Sequence, residues 1–140
     1  MANELKDALK KAIDEKKGID LSVVSSAIEK MSEDDDIKTE MSLTPDMVFN
    51  ISSDPVIGMK VELKGGKPSV SSGLSDEADF FMELSYGTLS AIISGERDVT
   101  TSLMGGDIAM WRDGRVGNMS KAMDLMPLIT AVAEKMELKV

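Results

Sequence analysis

The sequence predicts an α+β protein, and three observations carry that prediction. Apolar residues recur at helical spacing over the first 36 residues; strand-like segments separated by turn residues follow from residue 37; helical spacing returns after residue 85, interrupted by one further strand. At 140 residues the chain is most simply one globular unit, long enough to bury about two thirds of its unfolded surface.

The elements follow in order. Leu5, Ala8, Leu9, Ala12 and Ile13 sit at i, i+3, i+4, i+7 and i+8, giving an amphipathic helix that ends at Gly18. Asp20 or Ser22 can cap a second helix with Val24, Ala27, Ile28 and Met31 inward. The charged run "SEDDDIK" ends that pattern and marks a boundary, so residues 1–36 read as an N-terminal helical segment and residues 37–140 as the main domain. "PDMVFNISSD", "VIGMKVELKGG", "KPSVSSG" and "ADFFMELS" read as four antiparallel strands, the middle two joined through Gly65-Gly66. In the fourth, Phe80, Met82 and Leu84 share one side, and the neighbouring Phe81 implies cover on the other side too. "YGTLSAIISGE" is a helix capped by Ser85 or Thr88 and stopped by Gly95, with Leu89, Ile92 and Ile93 on one side. Asp98 caps "VTTSLM", which Gly105-Gly106 ends; "DIAMWRDG" is a fifth strand with Ile108 and Met110 on one side. Asn118 caps a long last helix carrying Met119, Ala122, Met123 and Met126. Pro127 either kinks it or starts a separate helix with Ile129, Val132, Ala133 and Met136.

Composition excludes several functions. A net charge of −9 with no basic patch makes nucleic acid a poor partner. The start lacks the basic and apolar regions of a signal peptide, and Leu125 to Val132 is less than half a membrane span, so a soluble, cytoplasmic protein without stable membrane insertion is expected. With no Cys and no His there is no thiol nucleophile, no imidazole base and no Cys- or His-ligated zinc. No cofactor and no metal site are expected.

The candidate motifs mostly have structural readings. Gly105-Gly106 follows a helix and precedes a strand, the reverse of a phosphate-binding loop, and reads as a helix stop. "EDDD" at residues 33–36 lacks the spacing of a calcium loop and reads as a solvated charge run. Asp76, Glu77, Asp79 and Glu83 carry no sign of a shared pocket, and Tyr86 and Trp111 read as core-edge aromatics. The 12 methionines are the notable excess, because unbranched thioethers adapt to variable apolar partners. On pattern alone the stripe Met119, Met123, Met126 reads as core.

From Ala78 to Asp113 the chain resembles the sterol carrier protein 2 family, the sterol-binding, non-specific lipid-transfer fold. The likeness lies in "ADFFMELS", "LSAIISGE", "DVTTSLMGG" and "DIAMWRDG", then "GNMSKAMDLM" opening the last helix, with "MKVELKGGKPSV" fitting earlier strands; it covers about residues 40 to 130. The resemblance implies a five-stranded, mostly antiparallel sheet backed by helices, enclosing an apolar tunnel for a fatty acid, acyl-CoA, phospholipid or sterol. It places Phe80, Met82, Leu84, Leu89, Ile92 and Ile93 against the ligand. It adds Leu103, Met104, Ile108 and Met110, then Met119, Met123 and Met126. On this reading Gly105-Gly106 and Gly114/Gly117 are joints between elements lining one interior.

Four departures stand out. "RDGRV" inserts before the last helix, so the fifth strand runs on or turns first. The chain continues through Pro127 as "LITAVAEKMELKV", and the N-terminal helix lies outside the resemblance. The last residues are not a peroxisomal Ser-Lys-Leu address. The expected function is therefore a non-catalytic intracellular lipid carrier. Its rivals are a non-catalytic dimerisation or enzyme-docking module, with a homodimer through the C-terminal helix, and an enzyme acting through Asp79, Glu83 or Tyr86.

Overall fold

A computed structural model describes residues 3–112, 115–116 and 118–140, without the side chains of Asn3, Trp111, Arg112, Arg115 and Val116. The front end is helical, as its apolar spacing requires: α1 (Asn3–Glu15) and α2 (Leu21–Met31), the latter capped by Asp20, whose carboxylate accepts from the Ser22 amide at 2.9 Å.

The charged run then does something the sequence did not announce. It opens a third helix, α3 (Asp35–Leu43), capped by Asp34, whose side chain accepts from the amides of Asp36 and Ile37. The acidic residues are stabilising there because they face the positive end of the helix dipole. The expected change at residues 36 and 37 thus falls inside α3, and Ile37 and Met41 of that helix belong to the hydrophobic core.

Four strands follow: β1 (Met47–Ser53), β2 (Ile57–Lys64), β3 (Lys67–Ser72) and β4 (Phe80–Leu84). With β5 (Ile108–Ala109) they form a sheet in the order β3-β2-β1-β4-β5. The sheet is mostly antiparallel, with one correction to the expectation of four antiparallel strands: β1 pairs with β4 in parallel, Phe49 opposite Phe80 and Ile51 opposite Met82. Alternation fixes which face a side chain takes; it does not say which strand lies alongside, and here β1 is the centre of the sheet.

The register builds one apolar face. Val70, Val61 and Phe49 line up across β3, β2 and β1, as do Met59, Ile51 and Met82 across β2, β1 and β4. On the opposite face Asn50 and Phe81 are both buried, so the sheet is covered on both sides. The Asn50 amide donates to the Ser75 carbonyl at 2.8 Å and accepts from its N–H at 3.0 Å, holding the β3–β4 loop there.

The second half alternates helix and strand. α4 (Tyr86–Ser94) has Ser85 as its N-cap and ends at Gly95, whose φ of 88° lies in the left-handed region that glycine enters without a Cβ clash. α5 (Val99–Met104) is capped by Asp98. The expected fifth strand is two pieces: β5 joins the sheet, whereas β6 (Trp111–Arg112) pairs antiparallel with β7 (Arg115–Val116) in a separate two-stranded sheet. Gly114 and Gly117, expected to be joints, lie outside the described residues, as does the side chain of Trp111. The last helix, α6 (Met119–Lys135), starts from the Asn118 cap and runs unbroken through Pro127, which neither splits it nor starts a separate helix. None of the described helices is long and apolar enough to cross a membrane.

Candidate ligand cavity

Helices and sheet do not close completely on one another. Between them lies a cavity of about 300 Å³, and every described side chain lining it is aliphatic, Phe, Met or Pro. The sheet contributes its register-aligned face: Phe49 and Ile51, the alternating set Ile57, Met59, Val61 and Leu63, and Met82 and Leu84 beyond. The "IGMKVELK" alternation signals this wall clearly.

The helices supply the rest. Leu89, Ile92 and Ile93 come from α4, and Leu5 and Leu9 from α1. α2 gives Val24, Ile28 and Met31, and α3 gives Met41. α6 and its C-cap Met136 present Leu125, Leu128, Ile129, Val132, Ala133 and Met136, an i, i+3, i+4, i+7, i+8, i+11 stripe.

Of the residues expected to face the interior, Met82, Leu84, Leu89, Ile92, Ile93 and Ile108 line this cavity. Phe80 is buried on the same side but stacks on Phe49, ring centroids 5.1 Å apart and 4° from parallel, so Phe49 is the ring that reaches the space. Leu103 and Met110 are half-buried and pack on the core without lining the cavity. Four placements need correction. Met123 is 62 % exposed, Met119 43 % and Met104 82 %, and Met126 is only half-buried outside the core. On α6 the branched aliphatics took the inner face, which leaves the methionine stripe outside. Met104 ends α5 at the Gly105 stop, where no neighbouring turn covers it.

Polar groups tie the surrounding elements together. Asp34 accepts from Lys135 Nζ at 2.7 Å, tying α3 to α6; that partner holds its carboxyl below the ordinary range and raises the Lys135 ammonium. Lys30 bridges to Glu4 at 2.9 Å, which lowers the Glu4 carboxyl, and the Tyr86 hydroxyl donates to the Ile13 carbonyl. Asp79, considered as an acid or base, accepts from the Val48 amide at 2.9 Å and pairs with Lys121 at 3.2 Å, so its carboxylate fastens β4 to β1 and α6. Among the described residues no group of three or more Asp or Glu side chains is arranged to hold a metal ion.

Neither the known protein families nor the curated proteins contain a match to the sequence. Solved structures do match. A crystal structure of sterol carrier protein 2 superposes with a TM-score of 0.56 at 18% identity, covering 79% of this chain and 91% of its own. The fold is that of sterol carrier protein 2. A ubiquinone synthesis protein, UbiJ-SCP2, matches with a TM-score of 0.50 at 13% identity, covering 78% of this chain and 91% of its own. At these identities the likeness establishes the sterol carrier protein 2 architecture, and the lining residues must speak for the ligand.

Proposed function

We propose that this protein is a non-catalytic, cytoplasmic lipid carrier that holds the hydrocarbon part of a fatty acid, acyl-CoA, phospholipid or sterol-like molecule in the cavity between sheet and helices. The observation that carries this reading is the chemistry of the lining: about 300 Å³ with no polar side chain among the described lining residues, at the lower end of ligand-pocket sizes. Water gains nothing there, because a water needs several polar partners, so such a space stays dry and favours hydrocarbon. Each methylene transferred into it contributes roughly 0.8 kcal/mol before ordering entropy is subtracted. Met31, Met41, Met59, Met82 and Met136 among the walls can re-pack around different chain shapes. Residues 1–36 act as part of the enclosure for the carrier domain of residues 37–140, since Leu5, Leu9, Ile19, Val24, Ile28 and Met31 all reach the cavity. The test is native mass spectrometry of purified protein, with and without added dodecanoate. A bound lipid mass or a one-to-one dodecanoate adduct is expected; an empty protein that takes up nothing defeats the carrier reading.

A second reading, a non-catalytic dimerisation module, is favoured by the exposure of Met119 and Met123 one turn apart on the outer side of α6. Light scattering separates the two: a dimer dissolved by Met123→Glu supports it, and a monomer removes it.

A further inference from the structure

Two of the cavity's lining residues also face somewhere else. Met41 and Pro68 line a second, solvent-facing groove of about 530 Å³ where the C-terminal half of α3 meets the β2–β3 hairpin. The hairpin turn fits closely: a Cβ on Gly66, whose φ is 75°, would lie 3.6 Å from the Met41 carbonyl oxygen. A thioether and a proline ring therefore stand between a dry interior and a polar recess.

Apart from Met41, Pro68 and the glycines of the turn, the recess is lined by polar side chains. It is lined by Ser32, Ser42, Thr44, Lys38, Lys67 and Asp46, together with the backbone of the turn. The three hydroxyls already donate, to the carbonyls of Ile28, Thr39 and Glu40, each at 2.7 Å. Asp46 accepts from the Gly65 amide at 2.9 Å and so is tied to the hairpin. Lys38 and Lys67 have no ion-pair partner among the described residues. Among the residues lining the recess, two unpaired ammonium groups stand against one engaged carboxylate, on a chain whose net charge is −9. The free side-chain donors are thus the two cations, which suits an anion and not merely any polar group.

We propose that this groove is a head-group site: a carboxylate or phosphate sits between Lys38 and Lys67 while its tail passes Met41 and Pro68 into the cavity. The proposal rests on the carrier reading and narrows it to anionic, single-tailed amphiphiles. The cavity sets the tail length. At about 30 Å³ per methylene, close to the share of a water in the liquid, it takes on the order of ten carbons. Met41 has the three rotatable bonds needed to swing aside, and the apolar side it turns inward keeps the passage dry.

The test compares dodecanoate, dodecyl phosphate and dodecan-1-ol by titration calorimetry, on the full chain and on the Lys38→Gln/Lys67→Gln double variant. Two exposed charge contacts predict anions bound roughly fivefold more tightly than the alcohol, a margin that shrinks in about 0.5 M salt. The double variant should lose that margin and bind dodecan-1-ol as before. A margin for both anions assigns the site to their shared charge, and a margin for one of them assigns that head group. If the unaltered chain binds alcohol and anions alike, or the double variant keeps the preference, the head-group site is wrong and the carrier reading stands. If none of the three binds, the carrier reading fails and the head-group site with it.

Discussion

Replacing Ala133 by leucine turns the presence of empty space into a sign. Ala133 is buried on the inner stripe of α6 and lines the cavity. Alanine and leucine are both strong helix formers, so the substitution leaves the backbone preference nearly unchanged. Leucine adds three carbons. Placed in open apolar space they contribute about 2.4 kcal/mol at 0.8 per carbon, and about 0.5–1 kcal/mol of rotamer entropy opposes them. The ligand-free protein should therefore gain about 1.5–2 kcal/mol in denaturant unfolding, or about 5 °C in melting temperature for a chain of this size. The same three carbons would displace hydrocarbon from a ligand. Across a series of fatty acids the best chain length should shorten by about three carbons, and the longest should bind roughly fiftyfold more weakly. In a filled core the outcome inverts, because overpacking costs about 1–3 kcal/mol. A variant that is destabilised, with an unchanged chain-length profile, would refute the cavity argument.

Three further outcomes are expected. Met123→Gln, on the solvent side of α6, should change stability by less than about 0.5 kcal/mol and leave the affinity for a fluorescent fatty acid unaltered, whereas Met82→Gln, on the lining, should weaken binding in that titration. Asn50→Ala strands both the amide and the carbonyl of Ser75, so urea unfolding should show a loss of about 2–3 kcal/mol. The Asp34–Lys135 pair predicts a stability plateau at neutral pH. Asp34 is depressed in the folded state, so its contribution is complete above the ordinary carboxylate value and falls away below about pH 4; Lys135 is raised, so its contribution is present below the ordinary lysine value and is lost above about pH 10. Asp34→Asn keeps a capping side chain and removes the charge, and its melting temperature should vary less with pH at both ends.

Much of this architecture could be read from side-chain spacing, and the misses have physical causes. Caps at Asp20, Ser85, Asp98 and Asn118, the Gly95 stop and the β2–β3 turn all announce themselves, because each depends on neighbours within a few residues. α3 was hidden because it offers only Ile37 and Met41 to the core, one helical turn apart, inside a run of acids that suggests solvent. The parallel pairing of β1 with β4 is a contact between segments about thirty residues apart, which no local pattern encodes. For the cavity lining, periodicity groups Met82 with Leu84 and joins the α4 trio, and the resemblance to sterol carrier protein 2 turns both sets toward an interior. The error on α6 came from a helix with apolar residues on more than one side. There the methionine stripe and the Leu125–Leu128–Val132 stripe have the same period, and only packing against α3 and the sheet decides between them. On α6 composition gave weight to Met119, Met123 and Met126, whereas burial went to Ala122, Leu125 and Leu128.

The cavity's boundary runs from Leu5 near one extreme of the described chain to Leu138 near the other. A receptacle assembled from so many stretches cannot exist until the polypeptide has finished folding, so any occupant is bound by the native form alone. Occupancy at a hundred times the dissociation constant then adds about 2.7 kcal/mol to unfolding. On the proposed function, vacant molecules would open more often and reach proteases first, and the lifetime of the protein would follow the supply of its ligand.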